Sequence, residues 1–69
     1  MDQVTIQLNG ESRTLSSGVG VQGLIDDLDL GSARFAVEVN GTLVPRSTYA
    51  AYPLQSGDQV EIVHAIGGG

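Results

Sequence analysis

Few residues in this sequence are equipped for chemistry. His64 is the single histidine, there is no cysteine or lysine, and the three cations are all arginine. A metal centre or a Ser-His-Asp relay needs partners that a lone histidine lacks. His64 therefore reads as a plain strand position, since histidine catalysis needs a positioned partner. The glycines make no phosphate cradle, because none precedes a helix with a following lysine. No catalytic residue and no metal ligand set emerges. What remains is the end of the sequence, Gly67-Gly68-Gly69. Its one reactive group is a carboxylate, an anion at neutral pH. Such a group is a poor electrophile and becomes useful only after activation.

Three glycines have no side chains to pack and lose much entropy on ordering. On composition alone they read as a frayed end. Two features oppose that reading. The tail leaves a strongly patterned strand with no linker, so its base is fixed, and three extended residues reach at most ~10 Å. A segment without Cβ atoms also suits a narrow channel, where the backbone must pass close to the walls.

The elements that would hold this tail can be read from the start of the chain. Val4, Ile6 and Leu8 alternate with Thr5 and Gln7, which predicts a half-buried strand. Asn9-Gly10 predicts a tight hairpin turn, and Glu11 to Leu15 the return strand. Val21, Leu24, Ile25 and Leu28 form one apolar stripe of a short helix, with Asp26, Asp27 and Asp29 on its other face. Gly20 is a tolerable N-cap, though Ser or Thr would be more usual. Gly23 inside the helix costs about 1 kcal/mol relative to Ala, so packing must hold the helix. Leu30-Gly31 ends the segment.

Phe35, Val37 and Val39 alternate with Ala36 and Glu38 in a third strand, and Asn40-Gly41 turns it into Thr42-Leu43-Val44. Pro45 stops that strand or puts it at an edge. Arg46 to Pro53 is expected to be irregular, with Tyr49 and Tyr52 over the core. Gln55 to Asp58 is a turn, and a last strand runs from Val60 through Ile66. One helix on one face of a mixed sheet of four or five strands is an α+β arrangement. A hairpin, a crossing helix and a C-terminal strand parallel to the first give the β-grasp topology. Residues 1–66 form the domain and residues 67–69 the flexible tail.

If Val60 and Ile62 face the helix, Glu61, Val63 and Ala65 face away from it. The core does not need this second apolar set. Val63, Ala65 and Ile66 are therefore candidate docking residues that would bring the tail to a partner. The plainer reading is that Val63 only covers a neighbouring strand. Arg46 pairs either with a nearby carboxylate or with a partner.

The balance of charge is eight acidic residues against three basic ones. An acidic surface repels phosphate backbones, so nucleic acid is not expected as a partner. It suits a basic docking surface, or simply keeps the domain soluble. No apolar run approaches the ~18 residues of a membrane span, and no signal peptide is expected. A cytoplasmic protein follows. Without lysine the chain has no side-chain amine to acylate, although chance also explains that absence in a short sequence.

From Val4 to Gly69 the chain resembles the thiamine-biosynthesis sulfur-carrier (ThiS) family, a group with the ubiquitin-like β-grasp fold. The resemblance rests on the Asn9-Gly10 hairpin, the Val21-Leu24-Ile25-Leu28 stripe, VEVNGTLVPRS at Val37 to Ser47, and LQSGDQVEIVHAIGGG at Leu54 to Gly69. It implies that Gly69 is adenylated and then converted to a thiocarboxylate, with Gly67 and Gly68 threading the partner's active site. It implies a ThiF-type adenylating enzyme, a sulfur-donating enzyme, and thiazole synthase as sulfur acceptor. No cofactor is expected on the chain itself; ATP is used by the adenylating enzyme. The chain would then be a protein co-substrate and not an enzyme. A carrier resembling the molybdopterin synthase small subunit, or a β-grasp module with inert glycines, are the alternatives.

Overall fold

Both Asn-Gly pairs form the turns their sequence predicts. In the computed structural model, which describes residues 2–31 and 34–64, Asn9 and Gly10 have φ of 49° and 85°, and Asn40 and Gly41 have 53° and 84°. Two successive positive φ values match the right-handed twist of the flanking strands. The first turn joins β1 (Gln3–Leu8) to β2 (Glu11–Ser16), and the second joins β3 (Phe35–Val39) to β4 (Thr42–Val44). Each pair is antiparallel, with Leu8 opposite Glu11 and Val39 opposite Thr42.

β5 (Gln59–His64) lies at the centre of a five-stranded sheet of order β2-β1-β5-β3-β4. It runs parallel to β1 and antiparallel to β3. This is the β-grasp arrangement expected from the pattern. β4 is at an edge and ends before Pro45, where a missing N–H costs no ladder bond.

Helix α1 (Val21–Leu28) packs Val21, Leu24 and Ile25 into the core, with Leu28 half-buried against it. The core they meet comprises Ile6, Val37, Val39, Val60 and Ile62 from the sheet, closed by Leu15, Val44, Tyr49 and Leu54. Asp29 ends α1 in the left-handed conformation at φ 53°. Arg13 at the β2 edge forms an ion pair with Asp27 of the helix. Both side chains are exposed enough that this pair adds little stability.

One sequence reading needs correction. Residues 46–51 are not irregular but form a 3-10 helix, Arg46–Ala51, which buries Tyr49. Tyr52 packs half-buried against the core, as expected. Gly20 is the N-cap of α1, as read, and the structure adds the reason for a glycine there. The chain at Tyr52–Leu54 runs against the start of α1: Val21 N–H donates to the Tyr52 carbonyl at 2.9 Å, and Gly20 pairs with Pro53. A Cβ on Gly20 would sit 2.4 Å from the Tyr52 carbonyl oxygen. Glycine is there because the two backbones touch, and a serine cap has no room.

Candidate functional site: the exit end of β5

β5 is held at its start from both sides by the two turn asparagines. On the β3 side, Asn40 N–H donates to the Gln59 carbonyl at 2.7 Å, and Gln59 N–H donates to Asn40 Oδ1 at 2.9 Å. Asn40 Nδ2 also donates to Asp58 Oδ1 at 3.1 Å. On the β1 side, Asn9 N–H donates to the Val60 carbonyl at 2.9 Å, and Ile62 N–H donates to Asn9 Oδ1 at 2.8 Å. The residues that make the hairpin turns thus also tie down the strand that leads to the tail. The sequence reading missed this second role. Its only signal is the choice of Asn as the residue before each turn glycine.

The strand presents two different faces at its exit. Val60 and Ile62 point to the helix and are buried, while Glu61 and Val63 point away and are exposed. Val63 is 52% exposed, and Leu43 of β4, missed as a candidate from the sequence, is 61% exposed on the same face. Val63 stands opposite Ala36, and Glu61 opposite Glu38, which in turn faces Leu43. The open face therefore carries an apolar patch with two carboxylates set into it. Leu43 joins this face because β4 pairs with β3, a contact that alternation within one strand does not show.

On the helix side, His64 lies opposite Phe35, and its side chain is exposed. Phe35 stacks on Tyr49 with ring centroids 6.4 Å apart. The Arg46 guanidinium lies over the same Phe35 ring, at 5.7 Å from the centroid. A cation over an aromatic face is held by the ring quadrupole. Arg46 makes no salt bridge among the described residues, where the one ion pair joins Arg13 to Asp27. It borders a groove of about 480 Å³ between α1 and the 3-10 helix, with Asp26 and Asp29 on the opposite wall.

Of the sequence-predicted site residues, Val63 is thus placed, on the open face and beside the exit. Ala65, Ile66, Gly67, Gly68 and Gly69 lie outside the described residues, as does the boundary drawn at residue 66. Among the described residues no three His, Asp or Glu groups gather as a metal site. No helix among them is long and apolar enough to cross a membrane.

Comparison with known proteins brings this geometry into a family. The model of the ThiS family matches residues 6–69. The sulfur carrier protein ThiS of Escherichia coli is 33% identical over 64 residues, covering 93% of this chain and 97% of that protein. A thiazole synthase of Magnetococcus marinus is 45% identical over 64 residues, 93% of this chain but 20% of that protein. The chain thus spans about a fifth of the length of such thiazole synthases. The crystal structure of a thiamine biosynthesis protein (ThiS) from Geobacter metallireducens superposes with a TM-score of 0.82 at 29% identity, over 96% of this chain and all of that one.

Proposed function

The chain belongs to the ThiS family, and on that footing we propose that it is a sulfur carrier of thiamine biosynthesis whose working group is the Gly69 carboxylate. The family match running through to Gly69 carries this reading. The carboxylate attacks the α-phosphorus of ATP in an adenylating enzyme of the ThiF type and releases pyrophosphate. The acyl-adenylate that results is a mixed anhydride with a good leaving group. A sulfur nucleophile, supplied as a persulfide by a sulfur-donating enzyme, then attacks the acyl carbon and expels AMP. Reduction of the remaining S–S bond by a thiol leaves the thiocarboxylate on Gly69. In thiazole synthase that sulfur attacks an electrophilic carbon of the substrate; water then cleaves the bond between the sulfur and the Gly69 acyl carbon, which leaves the sulfur on the substrate and restores the carboxylate.

In this scheme the chain contributes no catalytic group. It contributes an anchored strand, an arm without side chains at Gly67 and Gly68, and a docking face around Val63. Ala65 and Ile66 extend that docking set toward the arm. The thiazole synthases that contain a ThiS-like stretch support a thiazole synthase as the sulfur acceptor here.

Incubation with ATP, a persulfide donor and the adenylating enzyme, followed by intact-mass analysis, tests the reading. The expected product has one oxygen exchanged for sulfur, located on Gly69 by fragmentation. An unchanged mass beside an enzyme that modifies a known carrier would refute it.

A further inference from the structure

The hydrogen bonds of β5 alternate sides along the strand. Gln59 bonds Asn40 on the β3 side, whereas Val60 and Ile62 bond Asn9 on the β1 side. By the same alternation Glu61 and Val63 complete the ladder to Glu38 and Ala36. His64 then directs its N–H and C=O to the β1 side, together with the Ile62 carbonyl. β1 does not reach them. Its register with β5 stops at Leu8 opposite Val60, and the chain turns away at Asn9-Gly10. Asn9 Oδ1 meets the Ile62 N–H. Beyond it, the Ile62 carbonyl and both His64 backbone groups face a β1 side on which no described strand stands. A groove of about 500 Å³, lined by Gln7, Asn9, Gly10, Gln59, Val60 and Glu61, lies where β1 ends against β5, and neither Ile62 nor His64 lines it.

We infer that this half-edge of β5 receives an extended segment of the enzyme that takes the tail, which adds to the sheet as a short strand next to β5. The inference rests on the carrier reading above and specifies how the partner is gripped. Strand addition satisfies main-chain groups without any demand on side chains. Three groups are too few to hold two copies of the chain together, since stable interfaces bury on the order of 1,200 Å² or more. They suit an auxiliary contact to a partner already engaged elsewhere, and the open face at Val63 and Leu43 is continuous with the same strand. Gly69 lies only five positions after His64, at most ~18 Å away when extended. Any enzyme acting on Gly69 must therefore come close to this edge.

A proline at position 64 isolates the backbone contact. It deletes an N–H that the β3 ladder does not use, and proline is tolerated where the N–H faces outward. Proline also favours an extended residue before it, and Val63 already lies in a strand. His64→Pro should keep the circular dichroism spectrum and bind the adenylating enzyme about tenfold more weakly by calorimetry, about 1.4 kcal/mol. His64→Ala keeps the N–H and should bind as the unsubstituted chain does. If His64→Pro fails to fold, amide exchange of the unsubstituted chain decides, since the His64 amide should become protected only in the complex. Equal binding of both folded variants, or an unprotected His64 amide in the complex, overturns the strand addition and leaves the carrier reading standing. No binding of the unsubstituted chain overturns both. Self-association that His64→Pro abolishes would make the occupant a second copy and also overturn the proposal.

Discussion

Replacing Asn9 with alanine should cost about 2–3 kcal/mol, and the sum can be built from two separate terms. Asn9 sits at φ 49°, in the left-handed region. Alanine there pays about 1–2 kcal/mol, whereas asparagine visits the region readily. Its Oδ1 accepts the Ile62 N–H at 2.8 Å, and that donor is partly buried. A donor left without its acceptor costs about 1–3 kcal/mol. Asn9 itself is exposed, so water replaces part of the lost bond and the lower end of that range applies. At roughly 0.05–0.15 kcal/mol per residue, a chain of this length has only about 3–10 kcal/mol in all. The loss should therefore shift the melting temperature by about 8–24 °C, at 4–8 °C per kcal/mol for a domain of this size. Asn9→Gly separates the terms, because glycine accepts the positive φ but still lacks the acceptor. Urea unfolding of both variants, with amide exchange at Ile62, gives the readout. Asn9→Ala should be the less stable of the two, and the Ile62 amide should exchange faster in both. An Asn9→Ala protein within 0.5 kcal/mol of the unsubstituted one, its Ile62 amide still protected, would refute the clamp.

The Gly20→Ser substitution should destabilise by about 2–4 kcal/mol in urea titration, from forced separation at the Tyr52 carbonyl and loss of the Val21 bond. A serine cap gains only a few tenths over glycine, so a rise in stability would show that the close approach is not limiting. Val63→Asp should change stability by about 1 kcal/mol or less, as an exposed substitution. It should weaken binding to the adenylating enzyme at least about tenfold, about 1.4 kcal/mol; a lost circular dichroism signal would instead mean that Val63 supports the core.

Where the sequence is periodic or carries a turn dipeptide, it reports the local structure faithfully. Alternation at Val4-Ile6-Leu8 and Phe35-Val37-Val39, the stripe on α1 and the two Asn-Gly turns all fold as read. Those features arise from steric preferences and burial within a few residues, so a single chain exposes them. The 3-10 helix Arg46–Ala51 does not show in this way. Six residues are too few for a period, and one buried Tyr49 beside exposed neighbours looks the same in a loop. The glycine at position 20 escapes for a different reason. Its constraint is the carbonyl of Tyr52, thirty-two positions later (52 − 20), and no local pattern encodes a contact at that separation. The open face was half legible: alternation pointed to Val63, but Leu43 joins it only once β4 is known to pair with β3. The tail is the extreme case. Three glycines have no chemistry of their own, so its reading came from resemblance and not from pattern.

The placement of β5 explains why such a tail can be so short. A carrier's reactive end must enter another protein's site, which favours a long arm, yet a long arm raises the entropy lost on binding. Here the compromise lies in what precedes the arm. β5 is the central strand, with β1 and β3 on its sides and buried Val60 and Ile62 beneath. Asn9 and Asn40 fix its first half from opposite sides. Its second half pairs with β3 on one side, and no described strand stands on the other. Val63 and Leu43 on one face, and Arg46 over Phe35 on the other, flank the place where the strand leaves the fold. Two-sided strand pairing thus ends, among the described residues, beside the open face at Val63 and Leu43. An enzyme that binds this end of the sheet meets a strand whose position is already fixed at His64, five positions before Gly69.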